Sequence, residues 1–208
     1  PGRFMPTPPP GYQLVWADEF DGDRLDESRW LYRTGERYWS TQLPANVAVR
    51  DGHLWLAGRK EKTAKSDYTA GGVISRRVFR HGYYEARFKV PATAGWHTSF
   101  WMMQHPGADP AAHVGSRQEI DVCENDSVET GRYSANLHEW SPTHVGRGHR
   151  RVRTPDLAAE FHVWGCEFTP ERITYYFDGR VVHLNDATVI PDHRSEERRV
   201  GKECRSRW

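Results

Sequence analysis

The sequence predicts an all-β protein, an antiparallel β-sandwich, and three observations carry that prediction. Short apolar runs of strand length recur along the chain, most of them bounded by Gly, Pro or Asp. Nine Trp, nine Tyr and eight Phe accompany 13 Pro and 18 Gly, a mix that suits many turns and flat stacking surfaces. The one helix candidate, Pro155–Phe161, is too short to organise a core. Strands at this density fit an antiparallel sandwich.

The elements follow in order. Residues 1–11, PGRFMPTPPPG, form a Pro-rich lead-in expected to be extended and mobile. Residues 12–193 read as one domain, with no internal repeat or linker. After the Arg50-Asp51-Gly52 turn, Leu54 and Leu56 alternate with Trp55 and Ala57 in a short strand. Gly71–Pro91 reads as two strands around His81-Gly82. In the second of these, Tyr84, Ala86, Phe88 and Val90 share one face and Tyr83, Glu85, Arg87 and Lys89 the other. HTSFWMM, QEIDVCE, YSANLHEW, FHVWGCEF and RITYYFDGRVVHL continue as strands. Trp16, Trp30, Trp55 and Trp164 are expected in the core, and Cys123 and Cys166 fill it rather than form a bridge.

Residues 194–208, RSEERRVGKECRSRW, differ from the rest: they concentrate charge and show neither strand nor helix period. Their reverse translation permits AGATCGGAAGAGC, the opening of a sequencing adapter, so they are expected to be a non-native tail and are left out of the fold reading. They hold six Lys/Arg and three Asp/Glu, and setting them aside takes the net charge from +1 to −2. That balance gives no argument for a nucleic-acid partner. At 37% hydrophobic and 27% charged, the chain is neither disordered nor membranous in composition. It begins without an initiator Met or a hydrophobic signal core, so its true start is expected to lie upstream.

The chemistry concentrates in QEIDVCEND, which sets Glu119, Asp121 and Glu124 among Ile120, Val122 and Cys123. On a regular strand Glu119 and Asp121 share a face and Glu124 falls into the core, where an unpartnered carboxylate is prohibitive. A one-residue β-bulge restores Glu124 to the acid face. Two glutamates four effective steps apart, on backbones about 13 Å apart, can lean together across a concave surface. A retaining glycosidase needs its two carboxyl groups roughly 5–5.5 Å apart. Asp121 stands between them, able to hydrogen-bond to Glu119 and to help apportion protons among three like charges.

EIDVCE resembles the bulged E-x-D-x-x-E signature of glycoside hydrolase family 16, and the resemblance runs from Trp16 to about Leu184. WADEFDG is similar to the family's opening strand, NVAVRDGHLWLA to the next pair and GGVISRRVFRHGYYEARFKVP to its central hairpin. GWHTSFWMM resembles the tryptophan strand beside the site, and ITYYFDGRVV the hairpin with a DG turn. The resemblance implies a concanavalin A-like jelly roll with a concave cleft, and a catalytic domain over residues 12–193. It makes Glu119 the nucleophile, Asp121 its assistant and Glu124 the general acid/base of a retaining double displacement on a β-linked polysaccharide. It implies no required cofactor, allows a structural calcium on the convex face, and suggests a secreted or periplasmic monomer with no nucleic-acid or membrane partner. The bulged form points to β-1,3-glucan or a marine galactan, and the choice stays open. Sulfated galactans would want Arg or Lys in the cleft, for which Arg76, Arg77 and Arg80 are candidates beside a surface placement. The family's closing strands are not recognised in the sequence, so an open sheet edge and lowered stability are expected.

Trp96 and Trp101 are candidate sugar platforms, although residues five apart on a regular strand point to opposite faces, so one of them can fall in the core. His138 and Trp140 share a face of the next strand and are also candidate substrate contacts. His138 either hydrogen-bonds to Glu124, or meets a sugar in the leaving-group subsite, or is a satisfied histidine. His144 and His149 read as surface residues of a Gly/Arg loop, while Tyr38 and Trp39 can reach the cleft from a loop. Two rivals remain: a non-catalytic carbohydrate-binding sandwich, which needs no acid triplet, and a metal-binding protein using the three acids and His138.

Overall fold

The structure, a computed structural model, describes residues 8–79, 81–104, 118–140, 143–186 and 198–206. In chain order its strands are β1 Trp30–Tyr32, β2 Gly35–Arg37, β3 Ser40–Gln42, β4 Val47–Arg50, β5 His53–Leu56, β6 Gly58–Arg59, β7 Tyr68–Ala70, β8 Gly72–Phe79 and β9 Gly82–Phe88. They continue as β10 Trp96–Gln104, β11 Gln118–Asp126, β12 Arg132–Glu139, β13 Val145–Arg153, β14 His162–Phe168, β15 Arg172–Phe177, β16 Arg180–Asp186 and β17 Arg198–Ser206.

Two sheets make the sandwich: a seven-stranded one, β1-β8-β17-β10-β11-β12-β13, and a four-stranded one, β16-β15-β14-β9. Alternation supplies the layer between them. Phe100 and Met102 of β10, Ile120, Val122 and Cys123 of β11 and Tyr133, Ala135 and Leu137 of β12 meet Tyr84 and Phe88 of β9, Trp164, Cys166 and Phe168 of β14 and Ile173 and Tyr175 of β15. Phe88 and Trp164 stack with ring centroids 3.8 Å apart. Cys123 and Cys166 are buried and form no disulfide with each other. A second cluster forms around Leu25, Trp30, Val49 and Val73. The small sheet β2-β3-β7-β6 contains one parallel pair, β3 with β7, beside otherwise antiparallel pairing.

Several sequence expectations change. The two strands around His81-Gly82 exist, but they form no hairpin: β8 pairs with β1 and β17, whereas β9 pairs with β14 in the opposite sheet. The turn therefore carries the chain across the sandwich. Alternation fixes which face of β9 is apolar but not which strand lies beside it. The opening segment 16–22 forms no strand. Asp18 accepts from the Trp30 indole N–H (2.8 Å) and the Phe20 amide (3.0 Å), local bonds that compete with a ladder. Pro155–Phe161 is a turn rather than a helix, closed by Asp156, whose side chain accepts from the Ala158 amide at 3.0 Å. The Gly/Arg stretch read as a loop is instead β13, an edge strand, where one ladder suffices and arginines are well tolerated. Trp55 is 47% exposed beneath the Arg50 guanidinium rather than in the core.

The expected open sheet edge is also different. Arg198–Ser206 runs as β17 between β8 and β10, paired with both, so the expected open edge is filled by backbone. Residues 1–7 of the lead-in, Arg80, and residues 194–197 and 207–208 lie outside the described residues. The lead-in ends where the Tyr12 hydroxyl donates to Glu167 Oε1 at 3.0 Å. No helix among the described residues is long and apolar enough to cross a membrane.

Candidate active site

β11 carries the predicted bulge. Toward β10 its register runs Ser99↔Glu124, Phe100↔Cys123 and then Trp101↔Asp121, which leaves Val122 without a partner. Toward β12 the register also breaks between Asp121 and Glu124. Val122 and Cys123 both enter the core, 1% and 0% exposed, and the extra residue returns Glu124 to the face of Glu119 and Asp121. The acids therefore line the sheet face opposite the core.

Glu119 and Asp121 are only 6% and 2% exposed, so their charge depends on designed partners. The Trp140 indole N–H donates to Glu119 Oε2 at 3.2 Å. His138 Nε2 lies 3.4 Å from Asp121 Oδ2. Burial holds the His138 ring below its ordinary range, outweighing the Glu124 charge, which raises it, and His144 and His149 depress it further. The Asn136 amide donates to Glu124 Oε2, and His97 Nε2 approaches Oε1 to 3.2 Å without the alignment of a hydrogen bond. His97 is itself held through Nδ1, 2.7 Å from Asp126 Oδ1.

The candidate platforms separate. Trp101 faces the acids, opposite Asp121 in register. Trp96, an odd number of residues away on the regular β10, turns to the other face, with its ring over Gly58 and edge-on to Tyr68. A Cβ on Gly58 would lie 2.3 Å from the Trp96 ring. Trp140 reaches the site from the end of β12, and His144 stacks on it with centroids 3.9 Å apart. His144 is exposed, as the sequence reading has it, and its Nε2 lies 3.1 Å from His138 Nδ1 at the rim of the site. His138 faces Asp121; the hydrogen bonding to Glu124 considered for it falls to Asn136. Tyr38 and Trp39 are exposed at the β2–β3 turn.

The sequence singled out neither His97, Asn136 nor Arg33. His97 and Asn136 become visible only once register is known, through the cross-strand pairs His97↔Asp126 and Asp121↔Asn136. Arg33, 6% exposed, sets its guanidinium carbon 5.3 Å from the Trp101 ring centroid. Gly72 leaves it room: a Cβ there would come within 3.2 Å of Arg33 Cβ. Arg76 and Arg77, by contrast, donate to the backbone carbonyls of Glu27 and Val15 and are exposed, so they serve the surface. Among the described residues, the one group of three carboxylate or imidazole donors close enough for a metal is Glu119, Asp121 and His138, with atoms within 4.8 Å of one another. No such group lies on the convex face among those residues.

A family model described as Beta-porphyranase A-D, GH16 domain, matches residues 13–198. Across 182 residues the chain is 28% identical to a beta-glucanase of Rhodothermus marinus, covering 81% of this chain and 64% of that protein. It is 26% identical to glucan endo-1,3-beta-glucosidase A1 of Niallia circulans, covering 84% of this chain and 30% of that one. Beta-porphyranase E of Zobellia galactanivorans is 27% identical, with 88% and 74% covered. The chain thus spans less than two thirds of the length of the first two of these relatives. Among solved structures, porphyranase B from Zobellia galactanivorans superposes with a TM-score of 0.81 at 18% identity, over 99% of this chain and 87% of that one. The laminarinase catalytic domain from Thermotoga petrophila RKU-1 gives 0.80 at 20%, over 93% and 86%. Both likenesses concern the fold.

Proposed function

The chain belongs to glycoside hydrolase family 16, and from that premise we propose that it is a retaining endo-hydrolase of a β-linked galactan bearing anionic groups. The observation that carries the hydrolase reading is the bulge at Val122–Cys123, which gathers Glu119, Asp121 and Glu124 on one sheet face. Glu119 attacks the anomeric carbon while Glu124 protonates the leaving oxygen. Glu124 then takes a proton from the water that cleaves the glycosyl-enzyme, and configuration is retained. Asp121, faced by the His138 ring at 3.4 Å, stands beside the nucleophile and orients it. Trp101 and Trp140 offer sugar-stacking faces at the two flanks of the acids.

The substrate class rests on Arg33. The Arg33 guanidinium, whose Nη1 donates to Gln42 Oε1 at 3.5 Å, places a fixed positive charge beside Trp101 that favours a sulfate or carboxylate of a sugar held on that ring. The match to the porphyranase-type family model supports the same direction. The two-carboxylate chemistry draws on no metal or organic cofactor, and the enzyme acts as a secreted or periplasmic monomer.

A panel of sulfated and unsulfated galactans and β-1,3-glucans tests the reading, with product configuration followed by NMR. The expected result is retained-configuration oligosaccharides, faster from the anionic galactan, with turnover that survives exhaustive chelation. Arg33→Ala should lower kcat/KM on the anionic polymer about tenfold more than on a neutral one. Cleavage of neutral glucan alone, indifferent to Arg33, would remove the galactan assignment. Activity lost with the chelator would favour the metal reading instead.

A further inference from the structure

His97 is a buried imidazole suspended between two carboxylates on the acid face of the sheet. It stands on β10 opposite Asp126, two residues before Ser99, which pairs with Glu124. Its side chain is 3% exposed, with Nδ1 2.7 Å from Asp126 Oδ1 and Nε2 3.2 Å from Glu124 Oε1. The Asp126 carboxylate can only accept, so Nδ1 carries a proton and the ring is fixed with Nε2 toward Glu124.

We propose that Asp126 and His97 form a positioning and proton-sharing relay for Glu124, holding between ring and carboxyl the proton that the acid/base step consumes and regains. The proposal rests on the reading of Glu124 as the acid/base. At 3.2 Å, a small rotation of the ring or the carboxyl aligns Nε2 with Oε1 and admits two arrangements of one proton. With Nε2 bare, it accepts from a protonated Glu124; with Nε2 protonated, it donates to the Glu124 carboxylate. In the first half-reaction the proton leaves with the departing sugar oxygen. In the second, water gives one back to Glu124 as its oxygen bonds to the anomeric carbon, so the pair is restored at each turnover.

The surroundings favour keeping that proton. Burial alone would push the ring down, but the hydrogen bonds and charges of Asp126 and Glu124 outweigh it and raise His97 above the usual imidazole range. On the other flank of β10, Arg205 of β17 stands opposite His97 in register. Asn136, which is neutral, bounds the second oxygen of Glu124. A coupled pair of this kind titrates as a unit, so the alkaline limb of kcat/KM reports the pair's shared proton.

The test is the pH profile of kcat/KM on a polysaccharide that the enzyme cleaves, for the unsubstituted enzyme, His97→Gln and Asp126→Asn. Without a titrating ring the proton rests on a carboxyl alone, which ordinarily releases it at lower pH. His97→Gln should therefore move the alkaline limb about one unit or more toward acid, a loss of about tenfold on the alkaline side beyond any loss at the optimum. Asp126→Asn should move it the same way by less. A structural role would lower kcat/KM evenly across pH and leave the limb in place, and that result would overturn the proposal. Nitrogen-15 histidine NMR supplies a readout independent of activity, and its dispersion also reports whether each variant is folded. In the unsubstituted protein the His97 ring should titrate above the ordinary imidazole range, and in Glu124→Gln it should titrate lower. An unchanged titration removes the coupling. A protein that cleaves nothing on the panel overturns the hydrolase reading, while the NMR titration still decides whether the relay exists.

Discussion

The acid face works through pairs of small contacts, and Asn136 shows how much can rest on one of them. Its amide holds Glu124 Oε2, so in the proposed mechanism it fixes the direction in which Glu124 presents its proton. Asn136→Ala should lower kcat/KM on the polysaccharide by about 10–100-fold, the range expected for losing a hydrogen bond to a charged group. A substrate with an activated leaving group needs little protonation and should lose far less. Equal losses on both would mean that Asn136 supports the fold rather than the acid. The side-chain alternation of Glu119 and Asp121 was legible in the sequence, as was the need for a bulge, because a stranded carboxylate is too unfavourable to tolerate. Asn136, His97 and Arg33 were not, since each meets its partner across strands and nothing local in NLHEW, GWHTS or WLYR fixes a register.

At the level of the element, the bulge makes a prediction in both directions. Val122 and Cys123 both point into the core, so deleting Val122 leaves Cys123 alone on that side and keeps Glu124 on the acid face. That variant should stay folded, less stable by about 1.5–3 kcal/mol for the lost side-chain burial, and should retain measurable hydrolysis. Inserting one Ala between Cys123 and Glu124 turns Glu124 inward, where burying its charge should abolish activity and lower Tm sharply. Chemical denaturation and turnover of the two variants check this; an active insertion beside an inactive deletion would refute the register. The element level also shows where pattern reading ends. Strand β9 was recognised by its alternation, yet its partner proved to be β14 instead of β8, and β13 was passed over because an edge strand can be built from Arg and Gly.

Across the whole molecule, the seven-stranded sheet is continuous only because β17 lies between β8 and β10. The sandwich and its core were legible from apolar periodicity, but β17 was not, since its charge and lack of strand period argue against any element. Its pairing is backbone to backbone, which sequence pattern reports poorly. A chain ending at residue 193 should leave two unpaired strand edges in the middle of the sheet beneath the active site. With several kcal/mol lost, its Tm should fall by on the order of 10 °C or more, and its unfolding should lose cooperativity. Calorimetry of the two lengths decides this, and an unchanged Tm would mean that β17 adds nothing to the sheet. The most direct measurement of the central claim, that Glu119 is the nucleophile on a face shared with Glu124, is to trap the glycosyl-enzyme. A 2-deoxy-2-fluoro glycoside of a sugar that the enzyme cleaves, followed by peptide mass spectrometry, should place the label on Glu119. A label on Glu124, or products of inverted configuration with no trapped adduct, would contradict it.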